Sequence, residues 1–192
     1  MEAMNAVTIL GSPRKDGNTA RVLGWVEDEL RTGGHGVERI TIADHRIEGC
    51  RGCYTCQGVE DDPGCAETDD DAGMLFKKLL PSEPILIATP LFVWGYPGQL
   101  KLFLDRWFCL VKFHGFSEPI SLARGKRIGL LVTAAGERRG NVDLLLPPFR
   151  EMVNFLMARN AGELVIPRCT TPDALGKDVE TRAREFAREL VG

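Results

Sequence analysis

Four cysteines, Cys50, Cys53, Cys56 and Cys65, stand in a C-x2-C-x2-C-x8-C pattern. Three thiolates at steps of three residues can converge on one face of a cube, which suits a [4Fe–4S] cluster completed by the fourth. Zinc more often sits between two separated C-x2-C knuckles and ranks lower. Free or redox-active thiols are the third reading, and the spacing leaves all three open. Cys109 lies beside an apolar helical face and reads as core, while Cys169 has no partner in sequence. His35, His45 and His114 fall in no triad or metal-ligand spacing.

A second constellation is Gly11-Ser12-Pro13-Arg14-Lys15-Asp16-Gly17-Asn18-Thr19, which follows an apolar run and opens a helical stretch. There the first-turn N–H groups lack partners and the helix dipole favours an anion. Ser12, Asn18 and Thr19 offer short polar side chains, Gly17 permits unusual backbone angles, and Arg14 can pair with a phosphate dianion. Gly17 is followed by Asn-Thr where a Walker A loop needs Lys-Ser/Thr, and G-x-G-x-x-G is absent. A monophosphate ligand is the better fit. The plain alternative is a polar turn with a helix cap, since all these residues are common in turns.

These loops need elements to hold them. Five short apolar runs, Val7–Leu10, Val37–Ile42, Ile85–Ala88, Ile128–Val132 and Leu164–Ile166, lack strict alternation, as strands covered on both faces do. Helical spacing joins Leu100, Phe103, Leu104, Trp107 and Val111, then Phe149, Met152, Val153 and Leu156 after Pro147-Pro148, then Val179, Ala183, Phe186 and Leu190. Gly33-Gly34 and Gly162 stand where helices should stop. Strands alternating with helices give a parallel sheet with right-handed crossovers, and five such units a doubly wound α/β three-layer sandwich in one domain, residues 1–192. Two long connections, about 44–72 with the cysteines and about 134–147, interrupt the rhythm, and long loops in a compact domain are more often functional than accidental.

Composition narrows the class further. Hydrophobic residues are 44% and charged residues 27% of 192, a globular balance. The formal net charge of −3 with mixed signs argues against nucleic-acid binding. No apolar run approaches the ~20 residues that span a bilayer, and Val7–Leu10 is too short for a signal-peptide core. A cytoplasmic address is therefore expected, where cysteines serve as thiols or metal ligands more than as structural disulfides.

The stretch Gly11–Thr19 resembles the G-S-P-R-x-x-G-N-T loop of NAD(P)H-dependent FMN reductases and the related iron–sulfur flavoproteins. The likeness continues through Cys50–Cys56, Asp69-Asp70-Asp71, Thr89–Trp94, Gly98–Lys101 and Leu104-Asp105-Arg106. It covers residues 7–110 well, and the rest by strand–helix rhythm alone. It implies a flavodoxin-like fold with strand order 2-1-3-4-5, FMN as cofactor and NAD(P)H as hydride donor. Reduced flavin would pass electrons to a small-molecule acceptor (a quinone, free flavin, nitro compound or metal ion) or to an attached cluster. Alternatives are a one-electron carrier serving a ferredoxin-type redox partner, and a thiol-based redox sensor.

The resemblance places the FMN phosphate on Ser12, Arg14, Gly17, Asn18 and Thr19. It wraps Pro90, Leu91, Phe92, Val93 and Trp94 around the isoalloxazine ring, against the plainer reading of Phe92 and Trp94 as core or interface aromatics. Phe92 stands where relatives often carry Tyr, so that hydroxyl is missing. Small residues after the fourth run, Thr133, Ala134 and Gly136, would let backbone approach the flavin. Arg138 and Arg139 could meet nicotinamide phosphates or simply be solvated, and His114 could reach a flavin across a dimer or be a surface residue. Asp105 and Arg106 read as structural ties for a loop or a partner subunit. A homodimer or homotetramer is expected, with the aromatic-rich 92–116 stretch supplying surface.

Overall fold

A computed structural model describes residues 2–113, 115 and 117–192. Its sheet has five parallel strands: β1 (Asn5–Leu10), β2 (Gly36–Thr41), β3 (Ile85–Pro90), β6 (Arg127–Thr133) and β7 (Arg159–Ile166). The order is β2-β1-β3-β6-β7, the 2-1-3-4-5 arrangement of a flavodoxin-like fold. The two remaining strands, β4 (Val111–Lys112) and β5 (Ile120–Ser121), form a small antiparallel pair beside it.

Each apolar run became a strand because both faces of the sheet are covered. On one face α1 (Asn18–Thr32) and α5 (Lys177–Val191) bury Leu23, Val26 and Leu30 with Ala183, Phe186 and Leu190. On the other, α2 (Ala72–Leu79), α3 (Gly98–Arg106) and α4 (Leu146–Phe155) bury Phe76, Phe103 and Phe149. Pro147 and Pro148 occupy the first turn of α4, where a missing N–H costs nothing.

Three local expectations are corrected. The helix through Leu100–Trp107 ends at Arg106. A 3-10 turn, Trp107–Leu110, follows, and Val111 lies in β4. Spacing alone carried Val111 onto the helix, because a buried short strand offers the same apolar signal. Gly162 stops no helix. It lies inside β7 at φ +117°, where the β6–β7 register shifts between Ile128 and Leu130. A Cβ there would meet the Phe186 ring at 2.9 Å, so the glycine serves a bulge and a close approach. Gly17 has φ −77° and ψ 179°, ordinary extended backbone. Its smallness matters instead, since a Cβ would stand 3.2 Å from Arg14 Cβ.

Candidate functional site

At the carboxyl edge of the sheet, loops after β1, β3, β6 and β7 border an open cleft, the usual place for a ligand in an open α/β sheet. Ser12, Arg14, Gly17, Asn18 and Thr19 form one wall, and Pro90, Leu91 and Phe92 another. Thr133 and Ala134 close the third, joined by Ala135, Cys169 and Thr170. Ala135 belongs to the small-residue stretch that ends the fourth run, but Cys169 and Thr170 carry no motif and were missed. Only the order of strands brings residue 170 beside residue 18.

Internal bonds leave donors and acceptors facing the cleft. Ser12 Oγ accepts the Arg14 N–H at 3.1 Å and so fixes the loop's first turn. The Thr19 and Thr133 hydroxyls share a buried hydrogen bond of 2.7 Å that ties the β1 loop to the end of β6. Asn18 Nδ2 donates to the Thr170 carbonyl at 3.3 Å, while its Oδ1 is buried without a partner. The N-cap of α1 is Gly17, with no side-chain cap, so the first-turn N–H groups remain available to an anion. The Arg14 side chain is exposed beside them.

Val93, Trp94 and Gly136 do not line the cleft. Phe92 and Gly95 exchange backbone hydrogen bonds of 3.0 and 2.9 Å across a tight turn that lifts Val93 and Trp94 into solvent. Both have positive φ, +48° and +57°; for β-branched Val93 this is a strained conformation, of the kind that gathers at functional sites. Gly136 is crowded instead by Asn141, whose Nδ2 would stand 2.7 Å from a Cβ. Arg138 pairs with Asp143 at 3.2 Å and Arg139 is exposed. His114, and Phe116 at the end of the aromatic stretch, lie outside the described residues.

A second cavity of about 650 Å³ is lined by Cys50, Cys53, Cys56 and Cys65 together, with Tyr54, Phe108 and Arg106. Cys109 also lines it: the residue is buried as expected, but it faces the same space as the other four. The described cysteines are all free thiols. Hydrogen bonds from the Thr55 hydroxyl and N–H hold the Cys53 thiol below its ordinary value. Burial, then the neighbouring Cys65 and Cys56, pushes Cys109 up to about 12. Among the described residues, no three His, Cys, Asp or Glu side chains stand gathered for a metal ion. In type and number the four thiols of one cavity suit a cluster; in the conformation described the sulfurs do not converge.

Two buried cations hold this cysteine loop. Arg106 pairs with Asp70 at 2.6 Å and donates to the carbonyls of Glu48 (3.0 Å) and Glu67 (2.8 Å). This is the loop tie the sequence suggested for Arg106, whereas Asp105 makes only an exposed pair with Lys101. Lys112 Nζ donates to the carbonyls of Cys56, Asp62 and Pro63. Gln57 adds a bond from Nε2 to the Val111 carbonyl and accepts the Phe113 N–H, both at 2.8 Å. A segment with almost no regular structure is thus ordered by side chains reaching its carbonyls.

Among known proteins, the chain is 36% identical over 103 residues to an iron–sulfur flavoprotein of Archaeoglobus fulgidus, covering 54% of this chain and 45% of that one. It is 26% identical over 137 residues to an iron–sulfur flavoprotein of Methanosarcina thermophila, covering 71% and 66%. The chain thus spans between about half and two thirds of these relatives' lengths. In structure it superposes on NAD(P)H:quinone oxidoreductase from Methanothermobacter marburgensis with a TM-score of 0.77 at 16% identity, covering 100% and 98%. An FMN-dependent NADH-azoreductase from Bacillus anthracis, solved with FMN, gives 0.72 at 15% identity, covering 98% and 100%. These structural likenesses speak to the fold, while the sequence profile of NADPH-dependent FMN reductase matches residues 4–163; the chain belongs to that family.

Proposed function

We propose that the carboxyl-edge cleft binds FMN and that the protein is an oxidoreductase drawing hydride from NAD(P)H for a small acceptor: a quinone, free flavin, nitro compound or metal ion. The observation that carries this reading is the polar wall of the cleft: an uncapped helix N-terminus, an unpaired buried Asn18 Oδ1 and an exposed Arg14 around one space. A phosphate monoester satisfies those donors, and a ribityl hydroxyl could donate to Asn18 Oδ1. Thr19 and Thr133, bonded to each other, hold the two walls in register. Pro90, Leu91 and Phe92 offer an apolar wall beside backbone polar groups, and Ala134 and Ala135 leave room opposite. When bound, FMN supplies the two-electron and one-electron chemistry.

The cysteine cavity supports an addition to this function. A [4Fe–4S] cluster on Cys50, Cys53, Cys56 and Cys65 would accept electrons from the flavin and pass them to a ferredoxin-type partner. What supports it is the lining of one cavity by all four thiols and the likeness to iron–sulfur flavoproteins. Residues 1–192 would then be one cytoplasmic FMN-binding domain, working as a homodimer or homotetramer through its exposed Phe92, Val93 and Trp94.

The test is anaerobic purification followed by a visible spectrum and assays of FMN, iron and zinc per chain. Stoichiometric FMN with NADPH consumption in the presence of a quinone supports the oxidoreductase. About four irons per chain adds the cluster. Failure to take up FMN even when it is supplied refutes the reading of the cleft.

A further inference from the structure

Lys112 sits in the two-residue strand β4 with its side chain fully buried. Its ammonium meets three acceptors, the carbonyls of Cys56 (2.9 Å), Asp62 (2.8 Å) and Pro63 (3.1 Å). Those bonds use all three of its donors, yet carbonyls carry no net charge. Arg106, the other buried cation here, is matched by Asp70. Among the described residues no carboxylate lies within ion-pair distance of Lys112. A buried charge without an ion pair is costly, and the groups acting on this one that carry or can take negative charge are Cys109 and Cys56, then the exposed Asp62, then Cys65.

We propose that Lys112 is a positioning and charge-compensating residue for an anionic, cysteine-ligated metal centre in this cavity, an inference that rests on the cluster reading above. It acts in two ways. By binding the carbonyls of residues 56, 62 and 63, it holds the segment between the third and fourth cysteines across a gap too long to order itself. As a positive charge, it favours an anionic centre over the empty site and the reduced centre over the oxidised one, since reduction adds negative charge. The eight-residue spacing between Cys56 and Cys65 and the buried lysine beneath it are on this view one device.

The experiment uses the full chain purified without oxygen, as wild type, Lys112→Gln and Lys112→Arg. Glutamine keeps two donors for the carbonyls and removes the charge, while arginine keeps the charge. Three properties are read: the midpoint potential of the centre in a dye-mediated titration, the affinity of the metal-free protein for Co2+ by thiolate-to-cobalt absorbance, and trypsin cleavage within residues 45–71. A buried unit charge beside such a centre changes an equilibrium by about tenfold at the effective dielectric of a protein. Lys112→Gln should therefore lower the potential by about 59 mV for one electron and weaken Co2+ about tenfold, with the loop still protected. Lys112→Arg should match wild type in both. A glutamine variant equal to wild type in potential and cobalt affinity overturns the proposal. If glutamine opens the loop to trypsin, the arginine variant decides: wild-type values support the proposal, and loss of both with an intact loop overturns it. A wild-type protein that binds neither iron nor Co2+ refutes the cluster reading itself, and this inference with it.

Discussion

Replacing Arg106 with Met tests whether the buried Arg106–Asp70 pair holds the cysteine loop. The guanidinium and the carboxylate are both shielded from solvent, 1% and 0% exposed, and stand 2.6 Å apart. Methionine fills similar volume but leaves the Asp70 carboxylate buried and unmatched, along with the carbonyls of Glu48 and Glu67. Removing one partner of such a pair costs about 3–5 kcal/mol, a large share of the ~5–15 kcal/mol that holds a typical domain. At ~2–4 °C per kcal/mol for a chain of this size, the melting temperature should fall by roughly 6–20 °C. Urea denaturation of wild type, Arg106→Met, Asp70→Asn and the double variant measures the loss and the coupling. The double variant should recover part of it, because the stranded charge is gone. A loss below about 1 kcal/mol, or strictly additive single effects, would refute the reasoning.

The pair also carries a pH signature. Burial pushes the Asp70 carboxyl up, but the Glu48 N–H, Arg106 and the Ala72 N–H outweigh it and hold it below its ordinary value. A carboxyl depressed in the folded state contributes stability that is complete above its unfolded value near ~3.9 and is lost as pH falls through the folded value. The gap between wild type and Arg106→Met should therefore be full at neutral pH and narrow below about pH 4.

Other outcomes follow from single contacts. Arg14→Ala should weaken FMN binding by roughly tenfold or more, the worth of one charge-assisted hydrogen bond, read by quenching of flavin fluorescence; unchanged affinity would remove Arg14 from the phosphate site. Val93→Asn should stabilise the protein by about 1 kcal/mol, because asparagine tolerates the left-handed backbone and Val93, 89% exposed, buries nothing; a lower melting temperature would contradict the strain. Gly162→Ala should destabilise by about 1–3 kcal/mol, since its φ of +117° and the Phe186 ring 2.9 Å away both reject a Cβ; an unchanged urea midpoint would argue against both.

The sheet was legible because its strands are buried on both sides and so write themselves as unbroken Val/Ile/Leu runs. The β1 loop was legible because motif and position agreed. What escaped the reading was set by contacts distant in sequence. Thr170 joins the cleft through a bond to Asn18, 152 residues away, and nothing local marks it. Lys112 belongs to no motif, and only the fold buries it. Cys109 was rightly placed in the core, but its position gave no sign that the core there opens on four other thiols. Val93 and Trp94 share the loop of Pro90, Leu91 and Phe92 but stand in solvent away from the cleft, because the turn at Gly95 reverses the chain within two residues.

The bond between Asn18 and Thr170 also bears on the order in which the molecule becomes competent. The β1 loop is made well before Cys169 and Thr170, which close the cleft against it and follow β7. Domains form as units, and contacts this distant in sequence are late to close. A nascent chain can therefore assemble the early strands while its cleft stays open on one side. The segment that follows β7 thus decides when the cleft is closed on its last side.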